Sequence, residues 1–159
     1  MSRRRKRPLS DISVRPAAAS DLSALLGIET AVFATDRLDR RNFRHALRSP
    51  TMICLVACRA DAVLGYVLVE RRRTSTTARL TSIAVAPDAL GRGVGRRLLA
   101  AAEASAAAAG SQTMRLEVHK GNAVARRLYE QESYRPVATI EDYYENGAAA
   151  VRYGKTLAS

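Results

Sequence analysis

Residues 80–102 read LTSIAVAPDALGRGVGRRLLAAA, and this stretch decides the fold. Its first part is apolar and β-branched, as in a strand, and it stops at the turn pair Pro87-Asp88. In the loop that follows, Gly91, Gly93 and Gly95 alternate with larger residues, and a long helix begins at about Gly93. Glycines leave backbone N–H groups unshielded where the helix dipole is positive. The stretch therefore predicts a strand, an anion-binding loop and a helix.

Spacing separates this loop from two other nucleotide-binding loops. A P-loop ends in Gly-Lys-Ser/Thr, which does not occur here. A dinucleotide-binding fingerprint requires a third glycine where Leu98 stands and an acidic residue roughly 20 positions on. Glu117 lies at about that distance, but inside its predicted strand. A helix start with a flexible glycine entry and no ligand stays open as the alternative.

Residues 83–99, IAVAPDALGRGVGRRLL, resemble the acetyl-CoA motif of the GNAT superfamily of N-acetyltransferases, whose core is Arg/Gln-x-x-Gly-x-Gly/Ala. Gly93 and Gly95 match that core, whereas Leu90 occupies the Arg/Gln position. The resemblance implies acetyl-CoA as cofactor, coenzyme A as product and no metal. We expect backbone amides to supply most of the binding and Leu90 to lower the affinity. The implied cofactor contacts in this stretch are Ile83, Ala84, Val85, Leu90, Gly91, Arg92, Gly93, Val94, Gly95 and Arg96.

A second segment, residues 116–144, reads LEVHKGNAVARRLYEQESYRPVATIEDYY. It is similar to the bacterial enzymes that acetylate the N-terminal alanine of a ribosomal protein, with the pattern L-E-V-R-x-x-N-x-x-A-x-x-L-Y-E-x-x-G-[FY]. This resemblance implies Glu117 as general base, Tyr129 as the general acid that protonates the thiolate, and Asn122 as a cofactor contact. Serine replaces the motif glycine at Ser133, so we expect a strained or shifted turn before Tyr134.

Each of these roles has a plainer alternative. Glu117 could serve only as the ion-pair partner of Arg115 or another strand cation. In that case water could relay the amine proton, or Glu70 could act as the base instead. Tyr129 could be an aromatic residue at the edge of the core, and Asn122 a helix cap. No role is assigned to His119.

The acceptor is expected between the loop around Phe33 and the loop around residues 141–147, where Tyr143 and Tyr144 match the aromatic pair that holds peptide backbone in such enzymes. The leading hypothesis is acetyl transfer to a primary amine, most of all the α-amine of a protein or peptide N-terminus. The alternatives are transfer to lysine or to a small polyamine- or aminoglycoside-like amine, and a non-catalytic CoA-binding or ribosome-associated module. Hairpin packing is the alternative role for the two tyrosines.

The order of periodic segments predicts an α/β fold. Strand and helix patterns alternate as β, α, α, β, β, β, α, β, α, β, β, beginning near Ile12, with Ser20 as the N-cap of the first helix. The superfamily's mixed central sheet of about six to seven strands and about four helices has this order. We therefore expect a single acetyltransferase domain over residues 11–159.

Composition limits where and how the protein works. The chain has 159 residues, 47% of them hydrophobic, and neither a membrane-length apolar run nor a signal-peptide pattern, so we expect a cytoplasmic monomer or homodimer without membrane contact. The net charge is +11. Residues 1–10 are predicted to be a disordered basic arm, either a solvated tail or a weak contact for RNA, the ribosome or another polyanion. Its cations are Arg3, Arg4, Arg5, Lys6 and Arg7.

Overall fold

A computed structural model describes residues 11–157, so the predicted basic arm lies outside the described residues. Seven strands and four α-helices follow one another in the predicted order. The strands are β1 (Ser13–Pro16), β2 (Met52–Arg59), β3 (Ala62–Glu70), β4 (Thr77–Val85), β5 (Thr113–His119), β6 (Arg135–Ile140) and β7 (Ala150–Thr156). The helices are α1 (Leu22–Val32), α2 (Arg40–Arg48), α3 (Val94–Ala108) and α4 (Ala123–Gln131).

All seven strands form one mixed sheet in the order β1-β2-β3-β4-β5-β7-β6. Only β4 and β5 run parallel, because α3 crosses over between them, and every other neighbouring pair is antiparallel. The last strand, β7, lies between β5 and β6. This sheet and its helices confirm the predicted mixed α/β architecture.

The two faces of the sheet bury separate apolar clusters. On one face, α3 packs through Leu98, Leu99 and Ala102. On the other face, α1 and α2 pack through Leu25 and Phe43. Strand residues alternate between the two clusters, as the period-2 pattern requires. No helix among residues 11–157 combines the length and the apolar character needed to cross a membrane.

Two local expectations are resolved by backbone geometry. The expected N-cap at Ser20 is wrong, because a 3₁₀ turn over Ala19–Asp21 precedes α1, and the Asp21 carboxylate accepts a 2.7 Å hydrogen bond from the Ala18 N–H. That carboxylate also pairs with Arg15 at 2.8 Å, which lowers the pKa of Asp21. The strained turn expected before Tyr134 is confirmed, since Ser133 has a left-handed φ of 72°.

Candidate active site

The site begins where β4 and β5 separate. Their pairing runs only from Thr77–Thr113 to Leu80–Leu116, although both strands continue beyond it. A cleft of about 820 Å³ lies between the unpaired ends, bounded by α4, the α1–α2 loop and the loop before β7. One backbone edge of β4 beyond Leu80 therefore has no strand partner and faces the cleft.

The glycine loop ends at the N-terminus of α3. Gly91 and Gly93 have φ of 78° and 77°, in the left-handed region that favours glycine. Gly93 is the N-cap, and no side chain caps the first turn of α3. The N–H groups of that turn are therefore available to an anion.

Side chains around this loop differ in what they offer a ligand. Val94 is buried in the core, so only its backbone can contact a cofactor. The Arg96 guanidinium pairs with Glu132 at 2.7 Å, so its charge is already balanced by the residue that follows α4. Leu90 is 64% exposed and lines the cleft. Asn122 also lines the cleft, and its side chain caps α4 by accepting a 3.1 Å bond from the Ala125 N–H.

Tyr129 projects from α4 into the cleft with its ring packed between two other tyrosines. The ring centroids of Tyr134 and Tyr153 lie at 5.8 and 6.2 Å. Tyr129 is 6% exposed, and burial raises the pKa of its phenol to about 12. Its hydroxyl forms no hydrogen bond within residues 11–157. The phenol therefore keeps its proton at neutral pH and has it free to donate.

Glu117 lies on the polar face of β5, as its alternation predicts, but arginines cover it. Its side chain is only 3% exposed. Oε2 is 3.4 Å from Nε of Arg79, and Oε1 is 3.4 Å from Nε of Arg115 and 3.3 Å from an NH₂ group of Arg152. Both carboxylate oxygens are thus engaged by cations from three adjacent strands. A proton can reach Glu117 from a ligand only through water or through movement of an arginine.

The aromatic pair closes the cleft on the side away from the glycine loop. Tyr143 and Tyr144 pack edge to face at 5.0 Å, and the Tyr143 hydroxyl accepts a 2.7 Å bond from Arg79. The ring of His119 stacks on Tyr144 at 5.4 Å, so His119 has a contact that the sequence did not predict. Burial raises the pKa of Tyr144. Phe33 lines the same cleft from the α1–α2 loop.

Comparison with known proteins identifies the fold family. A model of the acetyltransferase (GNAT) family matches residues 21–133. The chain belongs to the acetyltransferase (GNAT) family. Membership confirms the predicted class, an acyltransferase that depends on acetyl-CoA.

Solved GNAT structures match almost the whole chain. The ribosomal-protein-S18-alanine N-acetyltransferase of Escherichia coli has a TM-score of 0.83 and 22% identity, covering 93% of this chain and 95% of that one. The ribosomal-protein-alanine N-acetyltransferase of Brucella melitensis has a TM-score of 0.80 and 26% identity, and the match covers 91% of this chain and 99% of that one. The putative acetyltransferase yncA of Salmonella typhimurium was solved with acetyl-CoA. It has a TM-score of 0.79 and 22% identity, and the match covers 94% of this chain and 95% of that one.

The structure also brings a buried carboxylate into this GNAT cleft that the sequence analysis missed. Glu29 on α1 is 2% exposed and accepts a bond from the Tyr66 hydroxyl, which in turn contacts Ser82 at 2.7 Å. Its other oxygen accepts a 2.7 Å bond from the Leu38 N–H and so fixes the α1–α2 loop. Burial and the bond to Glu29 raise the pKa of Tyr66. A single glutamate in an apolar helix gives no signal of such a role.

The alternative base lies elsewhere. Glu70 is not among the residues that line the cleft, and it sits 3.9 Å from Arg72 at the end of β3. Among the described residues, Glu29 and Glu117 are the glutamates that line the cleft.

Proposed function

We propose that this GNAT enzyme acetylates the α-amine of a protein or peptide N-terminus. The observation that carries the proposal is the position of Tyr129. Its unpartnered phenol lies in the cleft that runs from the glycine loop, where coenzyme A would bind, to Tyr143 and Tyr144, where a peptide would bind.

The residues present fit acetyl-CoA. The first turn of α3 offers free N–H groups to a pyrophosphate, and left-handed Gly91 and Gly93 bring backbone close to it. The unpaired edge of β4 around Ile83, Ala84 and Val85 can pair with an extended chain that contains amides. Leu90 gives apolar contact in place of a polar side chain. Arg92 is exposed beside the loop and adds positive charge.

Acetyl transfer forms an N–C bond and breaks the thioester C–S bond, and the acceptor ammonium loses two protons, one to a base and one that replaces the proton given to the thiolate. Acetyl-CoA supplies an acetyl group activated as a thioester. Glu117 takes the proton of the acceptor ammonium through water, since its oxygens are held by arginines. Tyr129 holds a proton at its hydroxyl oxygen for a leaving thiolate, and burial prevents its loss to solvent at neutral pH.

A peptide acceptor is favoured by the side of the cleft opposite the glycine loop. Tyr143 and Tyr144 present one exposed and one half-buried ring beside the α1–α2 loop, which suits an extended backbone. Asp36 lines the same region and attracts a cationic N-terminus. Two structural relatives, at 22% and 26% identity, are named as ribosomal-protein alanine N-acetyltransferases.

An acceptor panel tests the proposal. The full chain is given acetyl-CoA with peptides that begin with Ala, Ser or Met, the same peptides with a blocked N-terminus and one internal lysine, spermidine and an aminoglycoside. Release of free thiol gives the rate, and mass spectrometry locates the acetyl group. Tyr129→Phe is assayed in parallel as the catalytic control.

We expect acetyl on the α-amine of at least one free peptide, none on the blocked peptides, and a much slower Tyr129→Phe variant. Turnover confined to lysine, spermidine or the aminoglycoside would replace the peptide acceptor by those amines. Binding of coenzyme A without turnover of any acceptor would favour the non-catalytic module.

A further inference from the structure

A cationic face on α2 lies outside the cleft. Arg41, Arg44, His45 and Arg48 share one side of the helix at intervals of three and four residues, and all are exposed. These four residues, with Ser49 and Pro50, line a surface depression that contains no acidic side chain. We call Arg41, Arg44, His45 and Arg48 the basic face. Within residues 11–157 none of its three arginines forms an ion pair or a side-chain hydrogen bond.

The turn after β3 extends this cationic surface. Arg71 donates 3.3 Å and 3.4 Å hydrogen bonds to the carbonyls of Pro50 and Ala109, which holds the turn against the end of α2. Arg72 and Arg73 follow it and are exposed. Arg72 has only a 3.9 Å contact with Glu70, an ion pair that contributes little at an exposed site. Cations from two elements therefore adjoin with little compensating negative charge.

We propose that the basic face and the Arg71–Arg73 turn bind the phosphate backbone of duplex RNA. Guanidinium groups bind phosphate in a bidentate manner, and Arg41 to Arg48 spread their charges over about 10 Å of helix. The net charge of +11 and pI of about 10.6 fit a polyanionic partner. An acidic protein fits less well, because among residues 11–157 Pro50 is the only apolar side chain that lines the depression, which leaves no large apolar anchor there.

The same face offers few groups for other modes of nucleic-acid recognition. The side-chain oxygen of Asn42 accepts a 3.0 Å bond from the Asp39 N–H, so that oxygen is not available to a base. Phe43 is fully buried, so His45 is the one ring that the basic face offers for stacking single-stranded bases. Recognition by this surface therefore depends on backbone charge and shape.

Helix α2 can contact a nucleic acid with one side only. Phe43 and Ala46 hold α2 against the sheet, so only one side of the helix projects. A helix that reads B-form DNA must enter the major groove. The wide, shallow minor groove of A-form RNA, flanked by phosphates, accepts a surface of this kind.

The basic face adjoins the acceptor side of the cleft but shares none of its residues. Asp36 and Leu38 line the cleft, and α2 begins two residues later at Arg40. Bound RNA would lie beside the acceptor entrance. Binding and turnover can be measured separately, because no residue of the basic face is assigned to catalysis.

The test compares two variants of the full chain that remove equal charge. Arg44→Gln/Arg48→Gln alters the basic face, and Arg127→Gln/Arg135→Gln alters exposed arginines on α4 and β6. Binding of a fluorescent RNA hairpin of roughly 16 base pairs is measured over a salt series, with a DNA hairpin of the same sequence and with polyglutamate as competitor. Circular dichroism and thermal unfolding check that both variants fold.

We expect the basic-face variant to bind RNA roughly tenfold more weakly or worse, with a salt slope reduced by about two, while the control variant binds as the unaltered chain does. DNA and polyglutamate should bind or compete much less than RNA. Equal losses in the two variants, or unchanged binding by the basic-face variant, would overturn the proposed surface. Equal affinity for DNA, or displacement by polyglutamate, would overturn RNA as the occupant. No outcome depends on the peptide acceptor.

Discussion

At the scale of single residues, the environment of Tyr129 leads to the sharpest prediction. Tyr129→Phe removes only a hydroxyl that has no partner among residues 11–157, and the ring still packs against Tyr134 and Tyr153. We expect the melting temperature to change little, while turnover falls by roughly 10²- to 10⁴-fold as the proton donor is lost. Steady-state rates with a peptide acceptor measure this. Near-normal turnover would assign protonation of the thiolate to water instead.

The pH dependence of the rate tests whether Glu117 acts as a base or only compensates the charge of its arginine neighbours. Glu117→Gln keeps the shape but cannot accept a proton, so activity should fall most at low pH, where the acceptor amine is protonated, and recover as pH rises. Rates from about pH 6 to 10 give the profile. A loss that is the same at every pH would mean that Glu117 acts by compensating Arg79, Arg115 and Arg152. Arg152→Gln serves as a comparison that leaves the carboxylate in place.

Ser133 offers a stability prediction from backbone geometry alone. Its φ of 72° is unfavourable for any residue with a Cβ atom, and glycine adopts it freely. Ser133→Gly should raise the free energy of unfolding by about 1 kcal/mol, whereas Ser133→Ala should give no gain. Urea unfolding at neutral pH compares the two variants. A stabilising alanine would show that the serine hydroxyl, not the backbone, is unfavourable.

Sequence patterns placed several site residues because their signals are local. Alternation put Glu117 on the polar face of β5, and the motif resemblance named Tyr129, which α4 places at the cleft. Arg79 and Arg152 reach Glu117 from neighbouring strands, and that neighbourhood depends on sheet register. Register is set by contacts far apart in the chain, so the sequence alone did not reveal the arginine cluster.

At the scale of elements, one substitution at the start of α3 tests the cofactor site without straining the fold. A Cβ at Gly95 would lie 3.7 Å from Val85 and 3.8 Å from Leu128, which are ordinary contacts. Gly95→Val should therefore fold, yet its methyl groups would occupy cleft space beside the helix N-terminus and should abolish stabilisation by coenzyme A. Gly27→Val in α1, where nothing lies within 4 Å, is the matched control. Normal stabilisation of Gly95→Val by coenzyme A would refute the cofactor site.

The elements themselves were predictable in order but not in arrangement. The seven strands and four α-helices among residues 11–157 follow one another in the predicted order, because periodicity and turn residues specify each element locally. The insertion of β7 between β5 and β6 and the end of β4–β5 pairing at Leu80 have no local signal. These two features create the cleft, so its residues could be named more readily than its geometry.

At the scale of the whole molecule, buried tyrosines connect the cleft to the stability of the fold. Tyr129 lies in one apolar cluster and Tyr66 in the other, and Tyr134 donates a 2.8 Å bond to Glu103. Burial raises the pKa of all three phenols. Their protonation is therefore linked to folding, and the link acts on both faces of the sheet.

This linkage predicts loss of stability in alkali. An unfolded chain ionises its tyrosines near pH 10, whereas the folded protein holds Tyr129 protonated to about pH 12. The contribution of Tyr129 to the free energy of unfolding is complete below about pH 10. It is lost as pH rises towards 12, because the unfolded chain then releases the phenol proton and the folded protein does not. Tyr129 alone accounts for roughly 2 to 3 kcal/mol over that interval. Cys54, whose pKa burial raises to about 12, acts in the same direction from about pH 9.

Urea unfolding at intervals between pH 8 and about 11, with tyrosinate absorbance recorded in parallel, measures this dependence. The free energy of unfolding should fall steadily above about pH 9 to 10, and tyrosinate should appear in two groups, the later one together with unfolding. The free energy of unfolding of Tyr129→Phe should fall less steeply as pH rises, because phenylalanine has no proton to lose. A stability that stays level to pH 11, or six tyrosines that ionise together near pH 10 in the folded protein, would contradict the buried phenols on which the proposed proton donor depends.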